Sequence, residues 1–167
     1  TSVVDSNKTF VNTALTEGTP PPIAHDSITI GQHNIIKRMK HADLDAKTLT
    51  WSIDINTSRY EMHDFRLTDS LVLGLSHTIA DSGAIVVYDK TAGTTVPEVQ
   101  SFGEDGYLLF LSTDADGNHI GFNMQFTGAY AKTDHAFEVE YTTKYDAMRN
   151  PPDGSQTFIN SAASTWE

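Results

Sequence analysis

The sequence predicts an all-β fold, an antiparallel β-sandwich, and three observations carry that expectation. Apolar and polar residues alternate at period two, or form short β-branched and aromatic runs, through most of residues 28–145. Turn signals rich in Gly, Asp and Pro interrupt these runs at short spacing. No stretch carries the periodicity of an amphipathic helix of any length, although ADLDAKT (42–48) and KTDHA (132–136) each suggest a single turn.

Taken in order, the chain begins with KTFVNTALTE (8–17), a variant of QTFINSAAST (156–165) near its end. A match at the spacing of a whole domain suggests a tandem array. Residues 1–17 then read as the closing strand of a preceding repeat or an N-terminal extension. Residues 18–26, with TPPPIAHD, read as a Pro-rich linker, and 27–167 as the sandwich domain. Strands are expected in ITIGQHNIIKRMK (28–40), LTWSIDIN (49–56), HDFRLTDSLVL (63–73), GAIVVYDK (83–90), YLLFLST (107–113), HIGFNMQF (119–126) and HAFEVEYTTKY (135–145). FINSA (158–162) supplies the last strand, and turns fall at 81–83, 91–93, 105–106, 116–118 and 151–154.

Composition narrows the partners. A net charge of −11 and a pI near 4.8 repel nucleic acid and anionic membranes, and no apolar run is long enough to insert in a bilayer. There is no cysteine, so disulfides, zinc thiolates and cysteine catalysis are excluded. The histidines show no metal-binding spacing, and nothing matches a phosphate loop or a nucleophile elbow. Asp114, Asp116 and Asn118 alternate as in a calcium loop, but the glycine offset is wrong and no bidentate Glu follows, so a hairpin turn is the better reading. No cofactor is expected. Asn56-Thr-Ser is a glycosylation sequon. Trp51 reads as core, and Trp166, beyond the last strand, as free or packed on a following module.

Side-chain parity isolates three polar residues on apolar faces. Lys37 shares a face with Ile35 and Met39, Asp69 with Phe65 and Leu67, and Asn160 with Phe158 and Ala162. Asp54, Glu138 and Glu140 alternate against their apolar neighbours and read as outward-facing acids. An inward lysine on a strand is ordinarily a snorkelling edge residue, and an inward asparagine a bulge or turn residue. If the three meet, burial favours a neutral amine and a neutral carboxylic acid, and a chemical reaction opens. The amine of Lys37 attacks the Asn160 carboxamide while Asp69 polarises its carbonyl, ammonia leaves, and an amide cross-link remains.

The ordered motifs LTWSIDIN, FRLTDSL, VEYTTKYD and FINSA, over residues 35–163, resemble the repeat and adhesin domains of Gram-positive cell-wall-anchored surface proteins, of the collagen-adhesin and streptococcal adhesin and pilin type. The resemblance implies an inverse-variant immunoglobulin-like sandwich with a spontaneous Lys–Asn isopeptide bond between first and last strands. Carried over by position, the lysine is Lys37, the assisting acid Asp69 and the asparagine Asn160. Lys40 is the nearest rival to Lys37, with the wrong parity unless a bulge intervenes. Arg38 and Met39 depart from the small polar residues usual after that lysine.

The resemblance implies two functions, the first favoured by the repetition and the Pro-rich joint and the second its alternative. One is a stalk module of an extracellular, cell-wall-anchored surface protein, packed against neighbouring repeat modules. The other is a binding module for a host extracellular matrix protein such as collagen, or for a glycan. A surface loop such as 89–106 is a place for the exposed aromatic residues that binding needs. A conventional enzyme finds no support beyond the single-turnover cross-link.

Overall fold

The computed structural model describes residues 8–15, 23–30, 35–43, 45–71, 77–79, 85–145 and 160–166. Strands β1 (Lys8–Leu15) and β2 (Ile23–Ile30) pair antiparallel as a two-stranded sheet of their own, with Asn12 opposite Asp26. Residues 23–26, expected in the linker, thus belong to a strand, and 28–40 divides between β2 and the next strand. The expected turns at 81–83 and 151–154, and Phe158, lie outside the described residues.

The remaining strands are β3 (Ile35–Asp43), β4 (Thr48–Ile55), β5 (Met62–His63), β6 (Arg66–Leu71), β7 (His77–Ile79), β8 (Ile85–Asp89), β9 (Thr94–Val96), β10 (Gly106–Thr113), β11 (His119–Thr127), β12 (Lys132–Thr133), β13 (Phe137–Tyr145) and β14 (Asn160–Thr165). A larger sheet runs β3-β4-β13-β8-β9, with β7 also against β13, and a smaller one runs β10-β11-β6-β14. All pairings between these strands are antiparallel, as expected for the all-β sandwich. Of the two suggested turns, the first is present at residues 45–47, whereas 132–133 is strand β12, paired with β5; the one helical turn among the described residues is a 3-10 turn at Gly128–Tyr130.

Alternation explains the core. Leu67 and Leu71 from β6, Phe122, Met124 and Phe126 from β11, and Trp51, Ile53 and Ile55 from β4 all turn inward. The sheets meet through aromatic pairs, Phe126 against Phe137 at 4.5 Å and Phe122 edge-on against Tyr141 at 5.2 Å. Trp166 is neither free nor turned away. It is 9% exposed and packs 5.9 Å from Phe65, so the residue after the last strand closes the core.

Two local features set the positions of Asp69 and Lys40. Gly121 sits where β11 and β6 approach so closely that a Cβ would lie 2.4 Å from the Asp69 carbonyl oxygen, so only glycine keeps this register. In β3 the register shifts between Met39 and His41, leaving Lys40 as the extra residue of a bulge. Met39, expected beside Lys37 on the apolar face, is 52% exposed on this edge strand.

The sandwich has two open sides. On one, segment 97–99 after β9 joins the start of β10: Tyr107 donates its N–H to Pro97 (3.0 Å) and Val99 to Tyr107 (2.9 Å). On the other, β3 and β14, each the edge strand of its sheet, lie close together.

Candidate functional site

Lys37 and Asp69 meet in the interior. Lys37 reaches inward from edge strand β3, and its Nζ donates a hydrogen bond to Asp69 Oδ2 from the facing sheet. The lysine side chain is 12% exposed and the aspartate fully buried. Asp69 Oδ1 accepts a second hydrogen bond, from the Tyr141 hydroxyl at 3.0 Å. The Lys37 amine lies 5.6 Å from the Trp51 ring and 5.4 Å from the Tyr141 ring. Trp51 is held in turn by its indole N–H, which donates to Thr143 Oγ1 at 3.0 Å.

Burial decides the protonation chemistry. Desolvation pulls Lys37 below the usual lysine range against the opposing pull of Asp69, and pushes Asp69 above the usual carboxylate range against Lys37 and Tyr141. Both directions favour the neutral amine and neutral acid, the pair titrating as one coupled unit. The backbone of Asn160 pairs with Leu71, two residues along β14 from Ala162, which pairs with Asp69. The third residue is therefore at an adjacent register position on the same edge; its side chain lies outside the described residues.

Lys40 goes elsewhere. Despite the bulge, its amine binds Glu138 (3.0 Å) and Glu140 (2.5 Å) on the outer face of the larger sheet. Glu138 is not the ordinary outward acid expected. It is 7% exposed, and also accepts from Lys90 (2.8 Å) and Ser52 (2.9 Å). Those contacts, Lys90 foremost, hold its carboxyl down at about 2. Arg38 pairs with Asp54 at 2.6 Å on the same face.

The outer face of the smaller sheet is different in kind. Register aligns Phe110, Asn123, Thr68 and Ala163 in one row across its four strands. The next row holds Leu108, Gln125, Arg66 and Thr165. In a chain of net charge −11, these two rows carry no acid and one base, Arg66. Phe110 is 55% exposed beside a groove of about 360 Å³, and the Thr68 hydroxyl donates to the Asn123 side-chain oxygen Oδ1 at 2.8 Å. Phe110 is hidden in the sequence because YLLFLST reads as one apolar run. The alternation of Tyr107, Leu109 and Leu111 against the core is the signal that would expose it. Loop 89–106 does expose one aromatic residue, Phe102.

Two other motifs resolve as turns. Asp114 accepts from the backbone of Asp116 (2.9 Å) and Asn118 (2.8 Å), as in a side-chain-closed hairpin turn. The sequon residue Asn56 is buried, donating to the carbonyls of Tyr60 (2.8 Å) and His135 (3.1 Å), so its amide is committed to the fold. Among the described residues no acid and histidine cluster fits a metal ion, and no helix is long and apolar enough to cross a membrane.

The profile of the family described as collagen binding domain matches residues 32–166. Among solved structures, the collagen adhesin of S. aureus superposes with a TM-score of 0.56 at 15% identity, over 87% of this chain and 49% of that one. The chain therefore spans about half of that adhesin. The collagen-binding subdomain of the Enterococcus faecalis surface protein ACE gives 0.53 at 14% identity, over 82% and 97%. The collagen-binding domain of the Erysipelothrix rhusiopathiae surface protein RspB gives 0.52 at 12%, over 95% and 49%. At these identities the likeness is one of fold. A comparison with curated protein sequences returns no relative.

Proposed function

The chain belongs to the collagen-binding domain family, and from that premise we propose that it is a ligand-binding module of a Gram-positive surface adhesin that recognises a collagen-type triple helix. The observation that carries this reading is the outer face of the smaller sheet, with Phe110 exposed beside Asn123 and Gln125 on a surface free of acids. Collagen strands are polyproline-II-like, presenting pyrrolidine rings and solvated carbonyls. An aromatic side chain supplies the flat apolar contact, and amide N–H groups reach the carbonyls. The charged outer face of the larger sheet, its cations already paired with Glu138, Glu140 and Asp54, suits such a ligand less well.

Binding to an immobilised triple-helical collagen peptide tests the reading. Phe110→Ala and Asn123→Ala each weaken binding at least tenfold with Tm unchanged, whereas Lys40→Ala on the opposite face leaves it intact. Equal affinity for all three variants contradicts it.

The second part of the proposal is the fastening. Lys37 passes a proton to Asp69 and its free amine adds to the side-chain carbonyl carbon of Asn160. The C–N bond of the carboxamide breaks, the departing nitrogen takes the proton held by Asp69, the adding nitrogen gives one of its own protons back to that carboxylate, and ammonia leaves a Lys37–Asn160 amide. The support is the dry Lys37–Asp69 pair beside edge strand β14. The bond would tie the two edge strands across the open side of the sandwich.

A stalk role in a cell-wall-anchored array is the second reading, favoured by the same geometry. Load entering along β3 and leaving along β14 would run through a covalent amide, bypassing the sheets. Under either reading the protein is extracellular.

A further inference from the structure

We propose that Tyr141 is the positioning residue of the Lys37–Asp69–Asn160 condensation, its hydroxyl occupying Asp69 Oδ1 and so confining the transferred proton to Oδ2, the oxygen facing the amine. The inference rests on the proposed condensation. A carboxylic acid can carry its proton on either oxygen and can rotate about its bond to Cβ. In this site only one arrangement is productive. The proton must sit on Oδ2, where it arrived from Lys37 and from where it can be handed to the reacting carboxamide.

The tyrosine enforces that arrangement by donating. Its O–H points at Oδ1 over 3.0 Å, so a proton there would set two hydrogens against each other. The Tyr141 ring cannot easily swing away, being fully buried with Phe122 edge-on against it at 5.2 Å. Among the described residues, Lys37 from β3 and Tyr141 from β13 are the titratable groups facing the Asp69 carboxyl. Its cross-strand neighbours on β11 and β14, Phe122 and Ala162, carry none. The hydroxyl also favours the carboxylate, opposing part of the upward push that burial exerts on Asp69.

That opposition gives the test a direction. Without the hydroxyl, Asp69 holds its proton more tightly, and the unreactive form in which both Lys37 and Asp69 are protonated persists to higher pH. Intact mass followed over time after cell-free synthesis of the full chain, from pH 5 to 9, reads this out. Tyr141→Phe keeps the ring and removes one oxygen. It loses ammonia at least tenfold more slowly than wild type at neutral pH, and the acid limb of its rate profile moves upward. Site-specific fluorotyrosine at position 141 acidifies the hydroxyl without disturbing the packing and moves that limb downward, which covers the case that Tyr141→Phe does not fold. An unchanged rate and limb, or slowing that is uniform across pH, overturns the inference while leaving the condensation standing. A wild-type chain that never loses ammonia overturns the condensation, and this inference with it.

Discussion

Two lysines three residues apart on β3 each bind an acid, and burial gives them opposite chemistry. Lys37 meets Asp69 between the sheets, where desolvation lowers the amine and raises the acid. Lys40 meets Glu138 at the outer face, where the hydrogen bonds it donates to Glu140 and Glu138 raise the amine and the Glu138 carboxyl is held at about 2. The inner pair is driven towards neutrality, the form that the proposed condensation requires. The outer pair is driven towards full charge and is inert. Residue type and proximity are shared, so what separates the pairs is the cost of keeping a charge out of water.

Breaking the inner pair gives the largest effect. Asp69→Ala strands the Lys37 amine in the interior, which by itself costs about 3–5 kcal/mol, and it also blocks the cross-link. Urea unfolding should show a loss exceeding that of any single change at the outer pair. Lys37→Met leaves Asp69 buried without its amine, but burial favours the neutral acid and Tyr141 still donates to it, so the stranding cost is smaller. The variant loses the constraint of a closed loop of roughly 120 residues, about 4–5 kcal/mol by analogy with disulfides. Lys40 does not rescue it, so the variant keeps its full sequence mass.

The outer pair sharpens the contrast with smaller effects. Lys40→Ala lowers stability by about 1 kcal/mol, and the chain still loses its ammonia. Glu138→Gln reports through pH. The folded carboxyl sits at about 2 against an ordinary 4.5, so its stabilisation is fully present above about pH 4.5 and disappears as pH falls through 2. The Tm difference between wild type and Glu138→Gln should therefore be widest near neutrality and close towards pH 2.

Parity was enough to place Lys37 and Asp69 inside, because alternation on a strand is a local property and both residues sit in regular stretches. It gave Met39 the face of Lys37 but not its exposure, because alternation does not reveal that β3 lies at the edge of its sheet. It put Glu138 on the correct face but missed its burial, which comes from Lys40, Lys90 and Ser52 on three other segments. Tyr141 was legible as an inward residue of VEYTTKY; its bond to Asp69 was not, because that depends on how two sheets stack. Trp166 is the same case at the chain's far end, buried by Phe65 from a distant loop.

The central claim is that the inner pair is reactive and the outer pair is not. Intact mass spectrometry of the purified wild-type chain tests it most directly. The account predicts a species one ammonia lighter than the sequence mass, returned to the full mass by Lys37→Ala or Asn160→Ala but not by Lys40→Ala. A wild-type chain at its full sequence mass would contradict it.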